Sequence, residues 1–142
     1  MKTIVAYLAG LCLIGITHLK AQESVVPTND PNAPEIKFES EVIDYGVIPY
    51  DSDGIREFKF KNVGKSPLTI TNVQGECGCT ATTIDGKPGW PQEPILPGKT
   101  GTIKVKYDTK RVGRFEKNVT VTSNAKYPVV KLKIKGEVKP KE

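Results

Sequence analysis

Apolar and polar side chains alternate residue by residue through most of this chain. A period of two admits half-buried β-strands and little else. Val130, Leu132 and Ile134 alternate with Lys131, Lys133 and Lys135. Ile103, Val105 and Tyr107 alternate with Lys104, Lys106 and Asp108. Val119 and Val121 alternate with Asn118, Thr120 and Thr122, and Phe58 and Phe60 with Lys59 and Lys61. Leu68 and Ile70 alternate with Thr69 and Thr71, and shorter strands are predicted at 36–39 and 42–48. Turn signals separate these runs at Asp51-Ser52-Asp53-Gly54, Asn62 to Pro67, Pro97-Gly98-Lys99, Val112-Gly113 and Ser123-Asn124-Ala125. No stretch carries helical spacing. About seven short strands at this spacing predict an all-β fold, an antiparallel β-sandwich, with a small barrel as the alternative.

The 142 residues suffice for one domain, and 13 Gly with 11 Pro suit many turns rather than long helices. The N-terminus holds the one long apolar run, Ile4 to Ile16, after Lys2 and before Ala21. This is the pattern of a signal peptide over 1–21, too short to span a bilayer. Cys12 follows Leu11, which is not the small residue that lipidation requires. Residues 22–34, punctuated by Pro27, Pro31 and Pro34, read as a flexible leader. The domain is expected over 35–138 and a short tail over 139–142. Loss of 1–21 would remove Met1, Cys12 and His18, the only His of the chain. A Ser-His-Asp or Cys-His mechanism, or a His-ligated metal, is then excluded.

Cys77-Gly78-Cys79 carries the most specific chemistry. In an exported chain thiols tend to oxidise. Side chains two apart on a strand share a face, with Cα atoms about 6.5–7 Å apart, the upper edge of disulfide reach. Gly78 can draw the two ends together. A ring spanning one residue is expected to be tight and exchangeable. Three readings stand: a structural staple, a redox-active or partner-capturing disulfide, and a Cu(I) site of two thiolates.

The lysines form a second candidate. Lys131, Lys133 and Lys135 share one side of a strand, and Lys104 and Lys106 one side of another. Were both strands in one sheet, they would build a basic surface for anionic polymers or lipid headgroups; otherwise they are solvated outer faces. Trp90, the one Trp, sits among Pro88, Pro91 and Pro94 as a core cap or a binding anchor. Asp51-Ser52-Asp53-Gly54 lacks the later ligands of a calcium loop and reads as an Asp-stabilised turn. Asn118-Val119-Thr120 fits a glycosylation triplet but falls mid-strand. No aromatic-basic interleaving supports nucleic-acid binding.

Taken in order, several stretches carry a resemblance. They are Asp44-Tyr45-Gly46-Val47-Ile48, Phe58 to Ile70 with Asn62-Val63-Gly64-Lys65-Ser66-Pro67, Cys77-Gly78-Cys79-Thr80, and Trp90 to Lys99. Tyr107-Asp108, Gly113-Arg114-Phe115 and Val119 to Asn124 complete the series. Over about 36–138 the chain resembles the secreted bacterial domain-of-unknown-function family 1573. That family is similar to Hydin-type immunoglobulin-like domains and PapD-like sandwiches. The resemblance implies an immunoglobulin-like sandwich and an envelope location, and supplies no catalytic residues. The chain departs from the family at Tyr45, where Phe is usual, and at Val63, where Thr is common. The link from Ala81 to Gly89 is longer than usual.

These observations lead to an expectation of an exported, non-enzymatic module, periplasmic or extracellular. It would need no cofactor and would bind an envelope protein or polymer through sheet edges and end loops, including Trp90 and the lysines. A thiol redox or Cu(I)-handling role through Cys77 and Cys79 is the alternative. A hydrolase with converging carboxylates lacks any paired catalytic signature.

Overall fold

The computed structural model describes residues 26–142. The expected signal peptide, Cys12 and residues 22–25 lie outside the described residues. The chain forms two four-stranded sheets packed face to face and one small hairpin. The first sheet has β1 (Ile36–Phe38), β3 (Ile55–Asn62), β8 (Thr100–Tyr107) and β5 (Thr80–Ala81), in that spatial order. The second has β2 (Val42–Ile48), β10 (Val129–Val138), β9 (Gly113–Ser123) and β4 (Ile70–Gly75). The hairpin joins β6 (Thr83–Ile84) to β7 (Lys87–Pro88).

The alternation read from sequence sets which side chains enter the sandwich. Phe58, Phe60, Ile103, Val105, Val119, Val121, Leu132 and Ile134 are fully buried between the sheets, while their lysine and threonine neighbours face outward. Each such aliphatic or aromatic side chain contributes about 1.5–3 kcal/mol on burial. At one end, Tyr107 stacks on Phe115 with ring centroids 3.7 Å apart, and Tyr45 meets Phe115 edge-on at 5.3 Å. Gly101 has no Cβ, and the ring of Phe60, its cross-strand partner, fills that space.

The sandwich is not wholly antiparallel. β2 runs parallel to β10, from Val42 beside Lys133 to Ile48 beside Val138, with a register shift between Lys135 and Glu137. β2 follows β1 after only three residues but crosses to the other sheet, where it joins the C-terminal strand. Alternation fixes which face a residue shows, and neither the neighbour nor its direction. Leu68 also differs from expectation. It makes an isolated bridge to Ile95, with both N–H···O bonds at 2.8 Å, and β4 begins only at Ile70.

Asn62 is fully buried and knits one end of the fold. Its Nδ2 donates to the carbonyls of Ser66 (2.8 Å) and Ile95 (2.9 Å), and its Oδ1 accepts from the Gly64 amide (3.0 Å). The segment read as a leader meets this end. The Val63 amide donates to Glu35 O, the Lys126 amide to Pro34 O and the Thr28 amide to Lys126 O. A Cβ on Gly64 would collide with backbone atoms of Ala33, Pro34 and Glu35, so only Gly permits this close approach. At the other end, Asp53 Oδ1 accepts the Ile55 amide (2.9 Å) and Thr109 Oγ1 donates to Ser52 O (2.6 Å). The Asp51–Gly54 segment is therefore the side-chain-stabilised turn that its composition implied.

Candidate functional site

Cys77-Gly78-Cys79 forms the corner at which the chain leaves the second sheet and enters the first. β4 ends at Gly75 beside Val119, and β5 opens at Thr80 beside Tyr107. The corner is held by backbone: Glu76 N donates to Asn118 O (2.9 Å), Thr80 N to Cys77 O (3.1 Å) and Asp108 N to Cys79 O (2.8 Å). Glu76 Oε2 accepts the Asn118 amide at 2.8 Å. A Cβ on Gly75 would strike the Thr80 carbonyl, so the reversal is tight. Cys77 and Cys79 are joined by a disulfide, with Cα atoms 5.2 Å apart. In this form neither sulfur is a thiolate available to Cu(I). Among the described residues, no group of three or more His, Cys, Asp and Glu could hold a metal ion.

The two sulfurs have different surroundings. Cys79 is 2% exposed, within the core and 3.8 Å from Thr80 Oγ1. Cys77 is half-buried and packs on the edge of the core. A shallow cavity beside Cys79 is lined by Gly78, Cys79, Ala81, Lys106 and Asp108.

The long link from Ala81 to Gly89 is the β6–β7 hairpin. Its two-residue turn is Asp85-Gly86, with φ of 51° and 75°. Both residues are left-handed, the requirement of a type I′ turn, and Asp-Gly is among the pairs that meet it. Gly89 N donates to Thr82 O (2.8 Å), and Lys104 N donates to Gly89 O (2.7 Å). The hairpin is thus an excursion from the edge of the first sheet, after which the chain returns to β8. Trp90 follows, half-buried against the core.

The predicted lysines fall on two different sheets. Lys104 and Lys106 lie on β8 of the first, and Lys131, Lys133 and Lys135 on β10 of the second. They do not form one basic surface, which corrects the condition that the sequence left open. On the second sheet most of these charges are paired: Lys133 with Glu116, Lys135 with Asp44 at 3.9 Å and Arg114 with Glu137 at 3.5 Å, while Lys131 has no such partner among the described residues. Lys133 holds the Glu116 carboxyl below the usual carboxylate range by hydrogen bond and charge.

On the first sheet, register sets Lys37 directly opposite Lys61, with Thr100 beside Lys61 on β8. Lys59 and Lys106 share this outer face. Among the described residues, Lys104 alone of these lysines has an ion-pair partner there, Glu57 at 3.6 Å. Glu35 and Glu39 flank Lys37 along the edge. Sequence reading passed over Lys37 and Lys61 as sites, because the opposition exists only once β1 and β3 are paired.

Tyr45 shows how a departure from the family pattern is accommodated. Its hydroxyl donates to Gly54 O at 2.8 Å, and the Arg56 guanidinium lies 4.3 Å from its ring centre. Burial pushes its pKa from 10.0 up to about 12, against the pull of Arg56.

Residues 36–138 match the family "Protein of unknown function (DUF1573)". This chain belongs to that family. No curated protein matches the DUF1573 chain. A crystal structure of a protein of unknown function from Porphyromonas gingivalis W83 is similar, with TM-score 0.62 and 16% identity, covering 78% of this chain and 49% of that one. The DUF1573 chain therefore spans about half the length of that protein. The ASH/PapD-like domain 7 of human CEP192 is similar with TM-score 0.59 and 10% identity, covering 89% of this chain and 100% of that one. The secreted serine protease VesC from Vibrio cholerae is similar with TM-score 0.55 and 13% identity, over 73% of this chain and 23% of that one. At these identities the likeness concerns the fold, a PapD-like, immunoglobulin-like β-sandwich. No helix among the described residues is long and apolar enough to cross a membrane.

Proposed function

We propose that this DUF1573 chain is an exported, non-enzymatic immunoglobulin-like module that binds an acidic component of the cell envelope. The contact is made by the outer face of its first sheet. One observation carries this reading: on the second sheet Lys133 and Lys135 pair with carboxylates and leave Lys131 alone of the three β10 lysines, whereas among the described residues Lys37, Lys59, Lys61 and Lys106 on the first have no ion-pair partner. Lysine ammoniums that face solvent without local partners attract polyanions at long range. The β6–β7 hairpin and the short β1 protect this sheet's edges from strand addition, which leaves the face rather than the edge as the contact. The test is a titration of the purified chain with a defined polyanion, dextran sulfate, across a salt series. Binding that weakens steeply with salt supports the reading. Binding that is absent at low ionic strength overturns it.

A second reading concerns the corner. The disulfide joins the half-buried Cys77 to the buried Cys79, an asymmetry that favours attack at a single position and so favours thiol exchange with a partner.

A further inference from the structure

We infer that Cys77 is the sulfur through which the corner exchanges disulfides with a protein dithiol, and that Lys117 and Lys106 favour the thiolates this produces. The inference rests on the exchange reading and assigns its residues. Cys77 is half-buried beside the exposed Gly78, while Cys79 is enclosed. An incoming thiolate therefore reaches Cys77 Sγ first.

Two cations stand at the corner from opposite sheets. On the second sheet, Val73 pairs with Val121 and Gly75 with Val119, and Glu76 bonds to Asn118. The next residue of each chain is Cys77 and Lys117. Both belong to the inward-facing rows of their segments, and both are half-buried at the mouth of the sandwich. On the first sheet, Lys106 lines the cavity beside Cys79. The nearby carboxylates are engaged elsewhere. Asp108 pairs with Arg111 at 3.5 Å, and Glu76 Oε2 accepts the Asn118 amide. A thiolate beside an ammonium is stabilised and is a better leaving group. This supplies what the Cys-Gly-Cys motif by itself lacks.

The chemistry balances as an exchange. A thiolate of the partner dithiol attacks Cys77 Sγ and forms a new S–S bond. The Cys77–Cys79 bond breaks, and its electron pair leaves on Cys79 Sγ, beside the Thr80 hydroxyl. The partner's second thiolate then attacks its own sulfur in the mixed disulfide, and Cys77 leaves as thiolate. The partner dithiol is oxidised to a disulfide, and Cys77 and Cys79 are reduced. The two protons released by the partner thiols pass to solvent, and the new cysteine thiolates take up protons from it.

The test uses the full domain in three measurements. First, the oxidised chain is equilibrated with glutathione buffers, and mixed disulfide and free thiols are counted by mass. A corner that stays closed in every buffer overturns the exchange reading itself. Second, the reduced chain is treated with limiting iodoacetamide, and peptide masses show which sulfur reacts. Cys77 is expected to react about tenfold faster than Cys79. Equal reaction, or preference for Cys79, overturns the assignment while leaving exchange intact. Third, the pH profile of Cys77 alkylation is recorded for Lys117→Gln and Lys106→Gln. An alkaline shift, reversed in Lys117→Arg, supports the role of the cations. Profiles that coincide with the unchanged chain remove it.

Discussion

The two outer faces of this sandwich come from the same alternating pattern, and they differ in how their charges are spent. On the second sheet, Lys133 and Lys135 of β10 meet carboxylates carried by β9 and β2, so the face is knitted across three strands. On the first, the register sets Lys37 against Lys61, and a like-charged pair directly opposite destabilises a sheet. The lesson is that a lysine-rich strand is not a basic surface until its neighbours are known. Alternation puts Lys131, Lys133 and Lys135 on one side of β10 and Lys104 and Lys106 on one side of β8, and strand pairing decides which of them meet carboxylates.

The largest effect expected from breaking the comparison is on the scaffold of the first face. Asn62→Ala strips partners from the Ser66 and Ile95 carbonyls and the Gly64 amide beside Lys61. Chemical denaturation should show a loss on the order of 3 kcal/mol. A loss below the experimental error would mean that this end is held by other contacts. Next in size, Tyr45→Phe removes the hydroxyl bond to Gly54 and should cost about 1 kcal/mol near neutral pH.

The same tyrosine sets an alkaline limit. Its folded pKa stands above its unfolded value, so burial of the neutral phenol contributes stability that is fully present below pH 10.0. That contribution is lost as pH rises toward about 12. Thermal melts should fall across that window, and Tyr45→Phe should flatten the fall. Part of it should remain, because burial also raises the pKa of Tyr107.

Smaller again, Lys61→Glu should stabilise the fold by about 0.5 kcal/mol by relieving the opposition to Lys37. On the other sheet, Lys133→Gln removes an exposed ion pair and should leave the melting temperature nearly unchanged. A stabilised first face and an indifferent second face would sharpen the contrast. Destabilisation by Lys61→Glu would break it.

Much of the fold was legible because strand alternation is local. Leu132 and Ile134 announce their burial by standing between lysines, whatever sheet they join. The parallel pairing of β2 with β10 was not legible, because it depends on which sheet the chain enters after Phe38. The β6–β7 hairpin had a readable signal in Asp85-Gly86 between Ile84 and Lys87, which the length of the 81–89 link obscured. Cys77 and Cys79 were visible as a chemical pair, but their unequal burial and the alignment of their segment with β9 follow from pairing across about forty residues. Asn62 looked like one turn residue among several. Its role emerges only when Ile95 and the 33–35 segment close around it.

The proposed binding surface is the outer face of the first sheet, and not that of the second. Its most direct test is dextran sulfate binding at low salt by two charge-reversed variants, Lys37→Glu with Lys61→Glu and Lys131→Glu with Lys133→Glu. The first pair should weaken binding about tenfold or more, and the second by much less. Equal losses would mean that net charge alone governs the attraction, and a larger loss from the second pair would place the surface on the opposite sheet.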